Sequence, residues 1–125
     1  MLVKKPTTVT VGAAAERLAL KHLTKCGLHL VEKNFTARQG EVDLIMMEGD
    51  TLVFVEVRYR ENSRHGSPEE SVNYRKQQKI LQAAQIYLQK NNLTERCACR
   101  FDVVAIRSLE KKPQINWLKD AFSAF

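Results

Sequence analysis

The sequence predicts a single α+β domain, within the broad α/β class, in which helices cover a sheet grown around one antiparallel hairpin. Three observations predict it. An Ala- and Leu-rich stretch of helical character stops at Gly27. Two alternating, mostly apolar runs, residues 40–47 and 52–60, flank Glu48-Gly49-Asp50-Thr51, and a Gly-Asp loop is a good hairpin signal because Gly takes the positive φ of a II′ turn. A second long helical pattern then leads into another strand-like run, residues 96–107.

Taken in order, residues 1–9 read as a flexible polar arm. Thr10 or a neighbour caps a helix over 11–26, with good propensity from its alanines and from Leu18, Leu20 and Leu23. Gly27 is its C′ stop. Glu16 has helical spacing to Ala19, Leu20 and Leu23, so it sits either on the packed stripe or at its boundary, paired near Arg17 or Lys21. Residues 28–35 read as a strand and 36–40 as a turn into the hairpin, which makes three adjacent antiparallel strands.

After a polar loop, Ser67, Pro68 and Glu70 supply the N-cap, first-turn proline and capping box of a helix reaching Lys90, with a break near Asn73. Val72, Lys76, Ile80, Ala83, Ala84 and Tyr87 share one face of it. Lys76 is thus a cation on the apolar side, where it either snorkels to water or serves a site. In the strand over 96–107, Cys97 and Cys99 point with Phe101, Val103 and Ala105 and read as core, since no second thiol pair completes a structural zinc site. Asp102 has Arg100 as a nearby ion-pair partner. A turn at 111–113 leads to a last strand over 114–119.

The hairpin carries the chemistry. With Gly49 and Asp50 as loop residues, Glu48 pairs Thr51, which sets Asp43 opposite Glu56 and Glu41 opposite Arg58. Side chains alternate between faces. One face holds Val42, Leu44, Met46, Val53, Val55 and Val57 and meets the core. The other holds Ile45, Met47, Leu52 and Phe54 near the turn, then Glu41, Asp43, Glu56 and Arg58. Two carboxylates directly opposite have Cβ atoms about 5 Å apart and repel. Partial burial pushes one toward protonation, and a hard divalent cation removes the conflict. The alternative is a solvated face with a Glu41–Arg58 ion pair. Ile45 and Phe54, on the same face, weigh against open solvent.

At 125 residues and 44% hydrophobic, the chain suits one ordinary globular domain. No run approaches about 18 apolar residues, so no membrane helix is expected. The first residues lack the apolar core of a secretory signal. Three cysteines form no framework, which favours reduced thiols and a cytoplasmic location. Net charge +6 and a pI near 9.4 favour a polyanionic partner. His22 lies on a helix, His29 in a strand and His65 in the polar loop, without metal-ligand spacing, and no glycine-rich phosphate loop or nucleophile elbow occurs.

The order of a helix with an embedded Glu, Gly-Glu-Val-Asp-Leu-Ile, Phe-Val-Glu-Val-Arg-Tyr-Arg, Gly-Ser-Pro-Glu-Glu and Arg-Phe-Asp-Val-Val resembles the YraN-type family of small bacterial proteins over residues 12–125. That family in turn looks like the PD-(D/E)xK nuclease superfamily, above all the archaeal Holliday-junction resolvases. The resemblance implies a restriction-endonuclease-like αβββαβ core, a mixed central sheet with helices on its faces. It implies Mg²⁺- or Mn²⁺-dependent phosphodiester hydrolysis, with Asp43, Glu56 and helix-borne Glu16 as metal ligands. Arg58 falls where the superfamily carries a catalytic lysine. A guanidinium stays charged and only positions or stabilises charge. Three options follow: Lys76 supplies the amine from the helix, Arg58 only clamps phosphate, or the site no longer cuts. Arg60, Arg64, Arg75 and Lys79, with Arg58, are the expected nucleic-acid contacts. The partner is expected to be DNA in preference to RNA, without a membrane, and the resolvases' dimers imply a homodimer. The rivals are an inactive nuclease-fold binding module and a protein-interaction module.

Overall fold

The computed structural model describes residues 8–61, 66–108 and 112–123. The elements are helix α1 (Thr8–Lys25), strands β1 (His29–Ala37), β2 (Gly40–Glu48) and β3 (Thr51–Arg60), a 3₁₀ turn (Glu69–Ser71), helix α2 (Tyr74–Lys90), and strands β4 (Ala98–Arg107) and β5 (Gln114–Phe122). The five strands form one sheet in sequence order. β3 and β4 run parallel and every other neighbouring pair antiparallel, so the sheet is mixed. A parallel neighbour needs a crossover, and α2 supplies it. This is the α+β arrangement expected of an αβββαβ core. No described helix is long and apolar enough to cross a membrane.

Each helix starts where its local chemistry allows. α1 already includes Thr8 and Val9, which the sequence placed in a flexible arm, and its end closes through Gly27 at φ +100°, with Leu28 N–H donating to the Leu23 carbonyl at 3.0 Å. α2 does not start at Ser67, as the capping-box pattern predicts. Pro68 leads only into the 3₁₀ turn, and Val72 leaves helical geometry at φ −91°, ψ 73° as its side chain enters the core. The chain starts its helix afresh at Asn73, whose side chain accepts the Lys76 N–H at 2.9 Å.

Both sheet faces are covered. Ala15, Ala19 and Leu23 of α1 pack on Leu44, Met46, Val53, Val55, Val104 and Ile106. Ile80, Ala83, Ala84 and Tyr87 of α2 pack on Ile45, Leu52, Phe54, Phe101 and Val103. The β3 and β4 residues alternate between these layers as period two requires. Val42 breaks the expectation for β2: it packs in the α2 layer with Ile45, not with Leu44. The change falls across Asp43, where β2 leaves β3. The cysteines divide: Cys97 is half-buried and packs against the α2-side core as expected, whereas Cys99 is exposed, near the start of β4 where the first two residues are uncovered.

Asp102 is fully buried and completely engaged. Arg100 Nε donates to its two oxygens at 2.9 and 3.2 Å, Trp117 Nε1 donates at 2.9 Å and the Asp120 N–H at 2.9 Å. The pairing with Arg100 is as the sequence suggests; the tie from β4 to β5 through Trp117 and Asp120 is additional.

Candidate functional site

The β2–β3 ladder follows the predicted register from Glu48↔Thr51 to Leu44↔Val55. There it ends. The Asp43 carboxylate swings into the plane of the sheet and accepts the Val57 backbone N–H at 2.8 Å through Oδ2. Asp43 and Glu56 are therefore not ladder partners, and Glu41 and Arg58 form no ion pair. The strands part, and a side-chain acceptor replaces the missing backbone one. Arg58 turns instead to the 3₁₀ turn, where its Nε donates to Ser71 Oγ at 2.7 Å, and that hydroxyl donates to the Pro68 carbonyl at 2.5 Å.

The two acids are nevertheless neighbours, within hydrogen-bonding reach of each other. Asp43 is 9% exposed and Glu56 3%. Burial first, then the hydrogen bond and charge of Asp43, push the Glu56 carboxyl up to about 9, while Lys76 and Arg58 pull it the other way. Lys76 Nζ stands 3.6 Å from Glu56 Oε2, an ion pair too long for a hydrogen bond. Glu56 Oε2 is consequently a buried oxygen with no hydrogen-bond partner. Such orphans are rare in native folds and call for an explanation, such as a catalytic role, a water or an ion.

Glu16 approaches the pair from α1. Burial raises its carboxyl above the usual range, helped by the charges of Asp43 and Glu41 and opposed by Lys33. Its Oε1 is also buried without a partner, and the side chain lines a concavity of about 180 Å³ beside Arg17, Lys33 and Asn34. It does not join Asp43 and Glu56 in direct contact. Among the described residues no three His, Cys, Asp or Glu side chains form a metal-holding group. Two carboxylates with one unsatisfied oxygen still suit Mg²⁺ or Mn²⁺, since Mg²⁺ keeps several waters and needs only one or two protein carboxylates.

The expected nucleic-acid contacts divide. Arg58 and Lys76 face the acidic pair, one held by Ser71 and the other beside Glu56. Arg60, at the end of β3, is partly buried and its Nε has no partner. Arg75 and Lys79 are exposed on α2. Arg64 and His65 lie outside the described residues. Sequence reasoning missed Ser71, whose contact spans a loop, and Arg38 at the β1–β2 turn. An isolated serine before a helix gives no signal of the guanidinium it will hold.

The family model described as "Uncharacterised protein family UPF0102" matches residues 15–106, from α1 through nearly all of β4. A UPF0102 protein of Stutzerimonas stutzeri (strain A1501) is 50% identical over 113 residues, covering 90% of this chain and 94% of its own. One from Pseudomonas fluorescens (strain Pf0-1) is 49% identical over 113 residues, covering 90% and 92%. Another, from Herminiimonas arsenicoxydans, is 46% identical over 124 residues, covering 98% and 95%. With matches of this extent and identity, the chain belongs to the uncharacterised protein family UPF0102.

Proposed function

We propose that this protein is a nucleic-acid-binding, Mg²⁺-dependent phosphodiester hydrolase of the endonuclease type, acting on structured or branched DNA in the cytoplasm. One observation carries this reading: Asp43 and Glu56 are buried side by side, and Glu56 Oε2 has no hydrogen-bond partner. Crowding two acids away from water destabilises a fold unless a cation joins them. The net charge of +6 supports a polyanionic substrate.

Asp43 and Glu56 would hold Mg²⁺ or Mn²⁺, with Glu16 reaching it through water. When bound, such an ion lowers the pKa of a coordinated water and neutralises charge on the scissile phosphate. Around it, Arg58, steadied by Ser71, holds a phosphate oxygen but does not take a proton, because guanidinium stays charged. Lys76 Nζ, beside Glu56, orients the same phosphate and is the amine able to pass a proton between water and the leaving oxygen. Water oxygen bonds to phosphorus, the bond to the leaving strand breaks, and the water's proton ends on the leaving oxygen. Arg60, Arg64, Arg75 and Lys79 contact the backbone, and a homodimer would present two such sites to two strands.

The test is incubation of a four-way DNA junction and of plasmid DNA with the protein and Mg²⁺. Cleavage is expected with the wild type and is expected to vanish in EDTA and in Asp43→Ala/Glu56→Ala. Metal-dependent cleavage that persists in the double variant overturns the proposal. The engagement of Arg58 by Ser71, with no lysine on that strand position, favours a second reading: a nuclease-shaped module that binds nucleic acid without cutting. It predicts salt-dependent binding and no cleavage of any substrate.

A further inference from the structure

A groove borders the acidic site on the α2 side. It has a volume of about 360 Å³ and runs between the β1–β2 turn and the first half of α2. Three cations line it, Arg38 from the turn and Lys76 and Lys79 from the helix, against one carboxylate, Glu41. Among the described residues, neither Arg38 nor Lys79 makes a side-chain hydrogen bond or ion pair, and both are exposed. Their charges are available to a ligand. Lys76 joins the groove to the site, since it lines the one and stands 3.6 Å from Glu56 in the other. Glu41, two residues before Asp43, joins them from the β2 side.

The groove is held in place by Gly40. A Cβ built there would lie 2.6 Å from the Lys79 backbone oxygen and 3.0 Å from its carbonyl carbon. Only a glycine lets the turn sit this close to α2. The close approach holds the turn that carries Arg38 against the helix that carries Lys79, so two cations from different elements stand along one concave wall. Lysines scattered on a helix need no explanation. A turn docked on that helix by backbone contact, with an otherwise idle arginine on it, is a surface built across two elements.

We infer that this groove is the track for the phosphodiester backbone leading to Asp43 and Glu56, and that Arg38 and Lys79 bind the phosphates next to the scissile one. The inference rests on the nucleic-acid reading above and adds to it a defined path and a new contact residue, Arg38. An anionic strand crossing the groove would meet Arg38 and Lys79, then Lys76, and then the acidic pair, where a divalent ion is needed for a phosphate to approach.

The test is fluorescence anisotropy with a labelled DNA duplex, a four-way junction and an RNA duplex, all in EDTA, so that binding is read apart from cleavage. Arg38→Gln and Lys79→Gln are each expected to weaken binding about 3- to 10-fold near 100 mM NaCl, and to lower the slope of log affinity against log salt by about one. Lys25→Gln, at the exposed end of α1, is the control and is expected to bind as wild type. Circular dichroism confirms folding, and Arg38→Lys is expected to restore most of the affinity. The three probes show which nucleic acid binds best. Wild-type affinity and slope in both groove variants overturn the inference and leave the metal site standing. Equal losses in the Lys25 variant overturn it too, since they show diffuse attraction without a track. Reduced binding in the groove variants of a protein that never cleaves supports the inference while the hydrolytic reading fails.

Discussion

The Asp43 carboxylate takes the Val57 backbone N–H at 2.8 Å, just past the last β2–β3 ladder pair, Leu44↔Val55, and one residue after Glu56. An acid that stands in for a strand's carbonyl is fixed in the sheet plane and brought against Glu56. Asp43→Asn keeps an acceptor for Val57 but removes the charge. The Glu56 carboxyl, now about 9, is predicted to fall toward its ordinary value in this variant, because both the hydrogen bond and the charge of Asp43 raise it. Carbon-detected NMR titration of the Glu56 side chain checks this, and an unmoved value would mean that burial alone sets it.

Glu56 also predicts how stability depends on pH. Its folded-state carboxyl is raised from 4.5 to about 9, so the folded chain keeps a proton over that window that the unfolded chain releases. Its contribution is fully present below about 4.5 and is lost as pH rises through about 9. In metal-free buffer the stability of wild type relative to Glu56→Gln is predicted to decline from pH 5 to pH 9. At the alkaline end the variant is the more stable by roughly 1–3 kcal/mol, the scale of an uncompensated buried polar group. Urea melts at several pH values measure the difference.

Divalent metal is predicted to reverse that trend. A cation favours the deprotonated pair, so its binding releases a proton and strengthens as pH rises. Added Mg²⁺ should raise the melting temperature more at pH 8 than at pH 5.5, and calorimetry in buffers of different ionisation enthalpy should report the released proton. A pH-independent shift would speak against the Asp43–Glu56 pair as the site.

Asp102 is predicted to be structural. With full burial and donors from Arg100, Trp117 and Asp120, Asp102→Ala leaves Arg100 half-paired and β5 untethered. The expected loss is about 3–5 kcal/mol. Chemical denaturation measures it, and a loss under 1 kcal/mol would contradict the role.

Gly40→Ala is predicted to destabilise by about 1–3 kcal/mol, because the new methyl meets the Lys79 carbonyl, a backbone atom that cannot swing away. The same variant should weaken DNA binding further than its stability loss explains, as the turn carrying Arg38 lifts from α2.

Much of this was legible in the chain. The Gly49-Asp50 turn set a register that five ladder pairs follow, and alternation assigned the residues near the turn to their layers. The fit failed at Asp43, since a ladder is local while the parting of two strands depends on what a side chain does to its neighbour's backbone. Val42 changed layers for the same reason. The Ser67 capping pattern misled because the core's demand for Val72 outweighed a good local start. Arg58's tie to Ser71 and Arg38's place beside Lys79 arise from tertiary packing, which no spacing rule encodes.

The central claim is that a divalent cation belongs between the Asp43 and Glu56 carboxylates. Crystals grown with Mn²⁺, recorded near its absorption edge, test it most directly. The account predicts an anomalous peak within about 2.0–2.3 Å of an oxygen from each acid, with water completing the shell and Lys76 displaced from Glu56. A structure at high Mn²⁺ with no peak there, and with Lys76 still 3.6 Å from Glu56 Oε2, would contradict it.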